Sequence, residues 1–503
     1  MIRYKLTLLL LFLFLPYFIY SQEITQIPTD NALQQKINEV ASIEQLKHGL
    51  FGFYAVDVST NQVIASYNEE LSLCPASNLK IISTATALEI FGPEYRFKTE
   101  ICILGEIDTN GTLNGNIIIR GGGDPALGSQ RFGEHYFNPN FLQVWVDSIM
   151  AQGIKKINGK IIGDATIFSE HITPGSWTTE NVGNYFGAGA CGLSIYDNTL
   201  QVTFKSSSVV DKPVTITKTF PEIDDIQYDI NITSSNNTGD EAYFFGGAYE
   251  NYRYAEGTIP KNKTEFVVNA SLPNPPLQAA HELENILKTN GIAIENNSTT
   301  ARDLRLSGSP ITPEMKSSYK TIAVTYSPRL IDIISKTNFI SMNLYAEHLL
   351  NHIGYNKAKE GSTNAGCESV TSFWAQKGMD TDGFLIADGS GLSRYNAITT
   401  KQLAYILTYM KTQSTYSEMF YESLPVVGES GTVRSLCVGT SAVGKIHAKS
   451  GSIRGVRAFS GYALTASGRV LAFSMIANNF SGSTNSMRKK MEEIMVVLAN
   501  ISF

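Results

Sequence analysis

From about Gly49 to Ser66 apolar and polar residues alternate around a polar STNQ turn, which predicts a hairpin that opens a sheet. Helical spacing of apolar residues follows from about Ser77 to Phe91, behind Pro75 and ended by Gly92-Pro93. The texture then changes. From about Thr99 to Ser309 short β-like runs dominate, with turn signals at Asn110-Gly111 and Asn114-Gly115 and a Gly-rich GGGDPAL at 121–127. Helices are predicted there only near Phe141–Gln152 and Leu277–Thr289, and 205–265 reads as all-β. Helical spacing returns at Ser327–Lys336, with Ser327 as cap and Pro328 in the first turn, and at Met342–His352, ended by Gly354. Three strands (445–451, 456–464, 469–478) and a helix at Ser486–Leu498 close the chain. Helix-rich pieces and an antiparallel sheet thus flank a β-rich middle, the order that a β-rich insertion in an α/β domain produces.

Length and composition narrow the classes. With 503 residues, 43% of them hydrophobic, the chain can bury large cores, which excludes a disulfide-held miniprotein and a chain disordered throughout. A net charge of −6 without a basic stripe gives no support for nucleic-acid binding. Arg3 and Lys5 precede an apolar run from Leu6 to Tyr20, then Ser21: a secretory signal peptide over 1–21 is expected, with an uncleaved anchor as the alternative. No later stretch is apolar enough to span a bilayer. The five cysteines stand singly without a CxxC, so thiol-ligated zinc and thioredoxin-like chemistry are not expected; most read as small buried hydrophobes.

Three loose motifs gain weight from their context. Ser-x-x-Lys occurs at 77–80, 317–320 and 486–489. Only Ser77 opens an apolar helix, where Lys80 lies one turn on and has apolar neighbours such as Leu79 and Ile82. Desolvation disfavours the ammonium form, and a neutral lysine can take a serine proton. Among the Ser-x-Asn matches, Ser341-Met342-Asn343 alone sits at the mouth of an apolar helix. A second hydroxyl there can pass a proton to a leaving amine, and an asparagine can bond both the lysine and a substrate amide. Lys449-Ser450-Gly451, on a strand that can pair with an extended peptide, suits a carboxylate.

The order Ser77–Lys80, Ser341–Asn343, Lys449–Gly451 is that of penicillin-binding proteins and serine β-lactamases. The 264 positions between Ser77 and Ser341 are far too many for a compact β-lactamase. With RGGGDPAL (120–127), YFGAGACGLSIYDN (185–198), the stretch 327–350, DGSGLSR (388–394) and LPVVGESGTV (424–433), the chain resembles the peptidase S13 D-alanyl-D-alanine carboxypeptidases, class C low-molecular-mass penicillin-binding proteins. Met342 stands where that family often has Asp, and Ser450 where Thr is commoner.

The resemblance implies a multi-domain α/β fold: a serine β-lactamase/DD-peptidase-like domain (22–99 and 318–503) carrying an inserted domain II (100–170 and 262–317) and a β-rich domain III (171–261). It implies hydrolysis of peptidoglycan stem peptides ending in D-Ala-D-Ala, and of cross-linked muropeptides, through an acyl-enzyme on Ser77 that β-lactams also form. Lys80 would be the base, with Ser341 and Asn343 beside it. Lys449, Ser450, Gly451 and Ser452 would bind substrate, the last through its N–H together with that of Ser77. No metal or organic cofactor and no nucleic-acid partner are implied, and the location would be the bacterial periplasm. A β-lactamase-like hydrolase, marked by rapid penicillin turnover, and a catalytically weak wall-binding protein, marked by no acylation, are the alternatives.

Three further patterns carry less. Gly187-x-Gly189-x-x-Gly192 matches a dinucleotide fingerprint but no helix is predicted after it. His348 and His352 are four apart, yet Leu349 stands where a metalloprotease needs Glu. Glu347-His-Leu-Leu-Asn351 mimics a deacylating motif too close to Asn343 to face the nucleophile.

Overall fold

The computed structural model describes residues 31–133 and 140–502; the expected signal peptide lies outside them. The two ends of the chain build one antiparallel sheet in the order Ile446–Ile453, Val456–Leu464, Val470–Asn478, Leu50–Asp57, Val63–Tyr67. Strand period two divides its side chains between two cores. Leu471, Phe473, Met475 and Ala477 face a core closed by the helices Asn31–Ala41 and Thr484–Asn500. Ala472 and Ile476 face the other, closed by Leu79–Phe91, Asn343–Ala358, Thr363–Gln376 and Thr400–Thr412. A strand buried on both faces reads as one apolar run, which is how 470–478 looks in sequence.

Between Phe97 and Ser327 the chain leaves this sheet and returns. Lys98–Ile107 on the way out pairs antiparallel with Lys320–Tyr326 on the way back, in a seven-stranded sheet packed on the helices Phe141–Met150 and Pro275–Thr289. Two three-stranded sheets enclose a further core around Phe204, Ile232 and Phe244. Two strands lie across the expected limits of 262 and 318 from the strands they pair with. Lys320–Tyr326 belongs to the inserted sheet, and Phe266–Ser271 pairs with Thr199–Lys205 rather than with its sequence neighbours. The segment 185–198 crosses between units: Ala188 packs in the core around the Leu79–Phe91 helix, Leu193 and Ile195 in that of the seven-stranded sheet.

Two element ends differ from the sequence reading. Ser327 does not cap a helix; the helix is Leu330–Phe339, and Ser327 Oγ accepts from Phe97 N at 2.8 Å, stapling exit to return. Gly354 does not end its helix, which runs Asn343–Ala358. The glycine is needed for the close passage of Thr363–Gln376: a Cβ there would meet Gly366 N at 2.7 Å and Glu360 O at 2.8 Å.

In an open helix Gly→Ala stabilises by about 0.5–1 kcal/mol. Gly354→Ala should instead destabilise by about 1–3 kcal/mol, because backbone, not a flexible side chain, must move. Chemical denaturation checks the sign; unchanged or increased stability would contradict this packing.

Candidate active site

The hydroxyl of Ser77 is presented by a 3-10 turn, Ala76–Asn78, directly before the helix Leu79–Phe91. Ala76 is left-handed (φ 46°), a conformation costly for a residue with a Cβ. Two glycines make room for the turn. A Cβ on Gly391 would fall 1.8 Å from Ala76 O, and one on Gly451 2.5 Å from Pro75 O. Below it, Asn78 Nδ2 donates to Ser460 Oγ at 2.7 Å, which donates to Ser474 Oγ at 2.8 Å, so the turn is hydrogen-bonded to the floor of the sheet.

Lys80 is fully buried one helical turn from Ser77. Its Nζ lies 3.0 Å from Ser77 Oγ, 2.6 Å from Asn343 Oδ1 and 2.7 Å from Ser390 O. Burial pulls its pKa from 10.5 down to about 7, against the opposing pull of Asp388 and Glu347. A neutral amine has two N–H bonds and one lone pair. Asn343 Oδ1 and Ser390 O can only accept, so they take both N–H bonds and leave the lone pair facing Ser77 Oγ. The amide of Asn343 is itself oriented, because its Nδ2 donates to Phe186 O at 2.7 Å.

The Ser390 carbonyl is held by a buried loop. Asp388 accepts from Gly391 N, Ser393 N, Asn396 Nδ2 and the Trp177 indole, all at 2.6–2.8 Å. Glu347 accepts from Gly389 N at 2.9 Å and Ser390 N at 2.8 Å, and burial beside Asp388 raises its carboxyl above the usual range.

Ser341, also left-handed (φ 61°), stands before the Asn343 helix. Lys449 Nζ donates to Ser341 Oγ at 2.9 Å and to Ser450 O at 2.7 Å; burial, then Lys80 and Arg457, hold it well below its usual range. Ser450 Oγ donates to Thr432 Oγ1 at 2.8 Å. Met342, where the resembled family often has Asp, packs in the core at 6% exposure. A cleft of about 960 Å³ opens over Ser77, Ser341, Asn343 and Ser452, with Arg131 and Asp197 on its wall. Ser77, Ser341, Asn343 and Ser452 line this cleft, and Lys80, Lys449, Ser450 and Gly451 are buried beside them. Ser317, Lys320, Ser486 and Lys489 are exposed elsewhere.

Phe186, Ser390, Asp388 and Thr432 had no assigned role in the sequence reading. Two of them act through backbone carbonyls, which leave no side-chain signal. Gly187, Gly189 and Gly192 are packed against the backbone of Asn181, Ile172 and Ala165, and a 3-10 turn, not a helix, follows them. His348 pairs with Ser194 Oγ at 2.9 Å and His352 with Gly123 O at 3.0 Å, both buried on the Asn343 helix. All five cysteines are free thiols, three of them buried. Among the described residues no helix is long and apolar enough to cross a membrane.

A family model described as "D-Ala-D-Ala carboxypeptidase 3 (S13) family" matches residues 33–501. The chain belongs to this family. A D-alanyl-D-alanine carboxypeptidase of Actinomadura sp. is 25% identical over 464 residues, covering 90% of this chain and 81% of that protein. D-alanyl-D-alanine carboxypeptidase DacB of Haemophilus influenzae is 25% identical over 468 residues, covering 91% and 90%. The crystal structure of penicillin binding protein 4 (dacB) from Haemophilus influenzae superposes with a TM-score of 0.74 at 25% identity, covering 92% of this chain and 96% of that one. The mixed α/β architecture and the enzyme class, a serine peptidase of the S13 family, follow from this membership.

With Lys80 neutral only above about pH 7, the rate of acylation should rise with pH through a midpoint near 7 and then level off. Asn343→Asp places a carboxylate where Oδ1 now sits 2.6 Å from Nζ and favours the ammonium. The midpoint should then move up by at least about one unit, with about a fivefold or greater loss of rate at pH 7. A pH–rate profile of both proteins checks this; an unmoved midpoint would remove Lys80 as the titrating base.

Proposed function

We propose that the chain is a serine D-Ala-D-Ala carboxypeptidase and DD-endopeptidase of peptidoglycan that works through an acyl-enzyme on Ser77. The observation that carries this reading is the buried Nζ of Lys80, 3.0 Å from Ser77 Oγ, with the acceptors Asn343 Oδ1 and Ser390 O as its other partners. Ser77 gives its proton to Lys80 Nζ as Oγ attacks the carbonyl carbon of the penultimate D-Ala. The N–H groups of Ser77 and Ser452 hold the oxyanion. The C–N bond then breaks, the departing amine takes, through Ser341, the proton that Lys80 received, and water hydrolyses the ester to restore Ser77. Asn343 orients Lys80 and the substrate amide. Lys449 and the Ser450 hydroxyl read the free carboxylate beside the scissile bond, and Gly451 lets the strand lie against the Ser77 turn. A stem pentapeptide and a D-Ala–diaminopimelate cross-link both carry that carboxylate, so both are substrates. β-Lactams offer the same carbonyl and carboxylate and are the inhibitors. The site of action is the periplasm, on peptidoglycan, after export.

Mass spectrometry of the protein mixed with benzylpenicillin tests the reading. A stable adduct on Ser77, absent in Ser77→Ala with the fold intact, is expected. Rapid turnover of penicillin would make the chain a β-lactamase, and no adduct would make it a non-catalytic binder.

A charge-assisted bond to the carboxylate contributes about 1.5–3 kcal/mol, so Lys449→Ala should lower turnover of a peptide ending in free D-Ala-D-Ala by about ten- to a hundredfold or more. The amidated peptide should already be poor for the wild type and change little. Equal losses on both peptides would confine Lys449 to Ser341, its 2.9 Å neighbour.

A further inference from the structure

The helix that begins at Asn343 is held at four positions by the inserted part of the chain. Asn343 Nδ2 meets Phe186 O, the Tyr345 hydroxyl meets Asp197, His348 meets Ser194 and His352 meets Gly123. Three of these partners come from one short segment, 185–198.

That segment ends in an unusual conformation. Tyr196, Asp197 and Asn198 are all left-handed, at φ 54°, 54° and 46°. Three successive non-glycine residues there persist only if the surroundings over-determine them. Asn198 Nδ2 donates to Gly189 O at 3.0 Å and Ser194 Oγ at 2.9 Å, closing the segment on itself. Asp197 anchors it outward. Its Oδ1 accepts from the Tyr345 hydroxyl at 2.7 Å and its Oδ2 from Arg131 Nε at 2.8 Å. Tyr345 is fully buried, lies 3.1 Å from Ser129 Oγ and stacks on Phe132.

We propose that Asp197 is a positioning residue for acylation: by holding Tyr345 it fixes segment 185–198 against the first turn of the Asn343 helix and keeps the Phe186 carbonyl on Asn343. The consequence reaches Ser77 in two bonds. With Phe186 O in place, Asn343 can present only its Oδ1 to Lys80. If the carbonyl moves away, the amide can turn its NH2 toward Lys80. The amine must then offer its lone pair to Asn343 instead of Ser77. The inserted segment thus sets the direction of the base without touching the reacting atoms.

The inference rests on acylation at Ser77, and wild-type acylation is measured in the same experiment, so failure of that reading shows separately as an unlabelled wild type. Benzylpenicillin is mixed with wild type, Asp197→Ala, Asp197→Asn and Tyr345→Phe. The concentration dependence of adduct formation gives a pre-acylation binding constant and a limiting acylation rate. A displaced base should lower the limiting rate by about ten- to a hundredfold in Asp197→Ala and about tenfold in Tyr345→Phe, with the binding constant within about twofold. Asp197→Asn keeps an acceptor for Tyr345 and a residue tolerant of left-handed backbone, and should return to within about threefold of wild type. Tyr345→Phe preserves the ring in its cavity and decides the matter if Asp197→Ala does not fold. Limiting rates equal to wild type in the folded variants would overturn the proposal. So would a loss confined to the binding constant, which would make Asp197 a direct ligand contact.

Discussion

A lysine amine enclosed without a carboxylate partner is the constraint on which the site depends. Removing an ammonium from water costs far more than one hydrogen bond returns, so the group resolves the conflict by giving up its proton. In Lys80 this happens because Nζ is surrounded by an amide oxygen, a backbone carbonyl and a hydroxyl, while Asp388 and Glu347 act only from a distance. Those two carboxylates are occupied with backbone N–H groups of the 388–393 loop. Their placement stops the amine from becoming a weaker base than the chemistry can use, yet lets it lose its proton near pH 7. The same enclosure explains why so much of the fold converges here: two glycines, two left-handed residues and a buried line of hydroxyls all position the Ser77 turn and its neighbours.

The inserted part of the chain is more than an appendage. It leaves and rejoins the catalytic sheet at one stapled place, Phe97 and Ser327, which would let it pivot as a unit. Contacts along the Asn343 helix, the Trp177–Asp388 bond and the packing of Ala188 oppose such a pivot. Local interactions of this kind, spread over about three helical turns, tie the wall of the cleft to its floor. A cleft with a mobile wall would lose the orientation that the neutral amine needs.

The parts legible in sequence were those written in side chains and in period. The doubly buried strand 470–478, the Ser77 helix and the three motifs in order all announced themselves. Ser77–Lys80 could be chosen over 317–320 and 486–489 because apolar neighbours mark a buried lysine, and the other two pairs are exposed. The parts that stayed hidden are written in backbone. The carbonyls of Phe186 and Ser390 could belong to any residue type. Gly354 looked like a helix end because a glycine that admits a neighbouring helix and one that ends its own helix are identical in sequence. Ser327 looked like a cap because its true partner, Phe97 N, lies 230 positions away. Sheet membership of 266–271 and 320–326 was likewise decided by distant strands.

Loss of the Lys80 proton near pH 7, caused by burial between fixed acceptors, can be read without substrate. Carbon-13 labelling at the lysine Cε, with Lys80→Met to assign the resonance, follows the titration of this one amine by NMR. A midpoint near 7 is expected in the wild type. A midpoint near the ordinary value of 10.5 would contradict it.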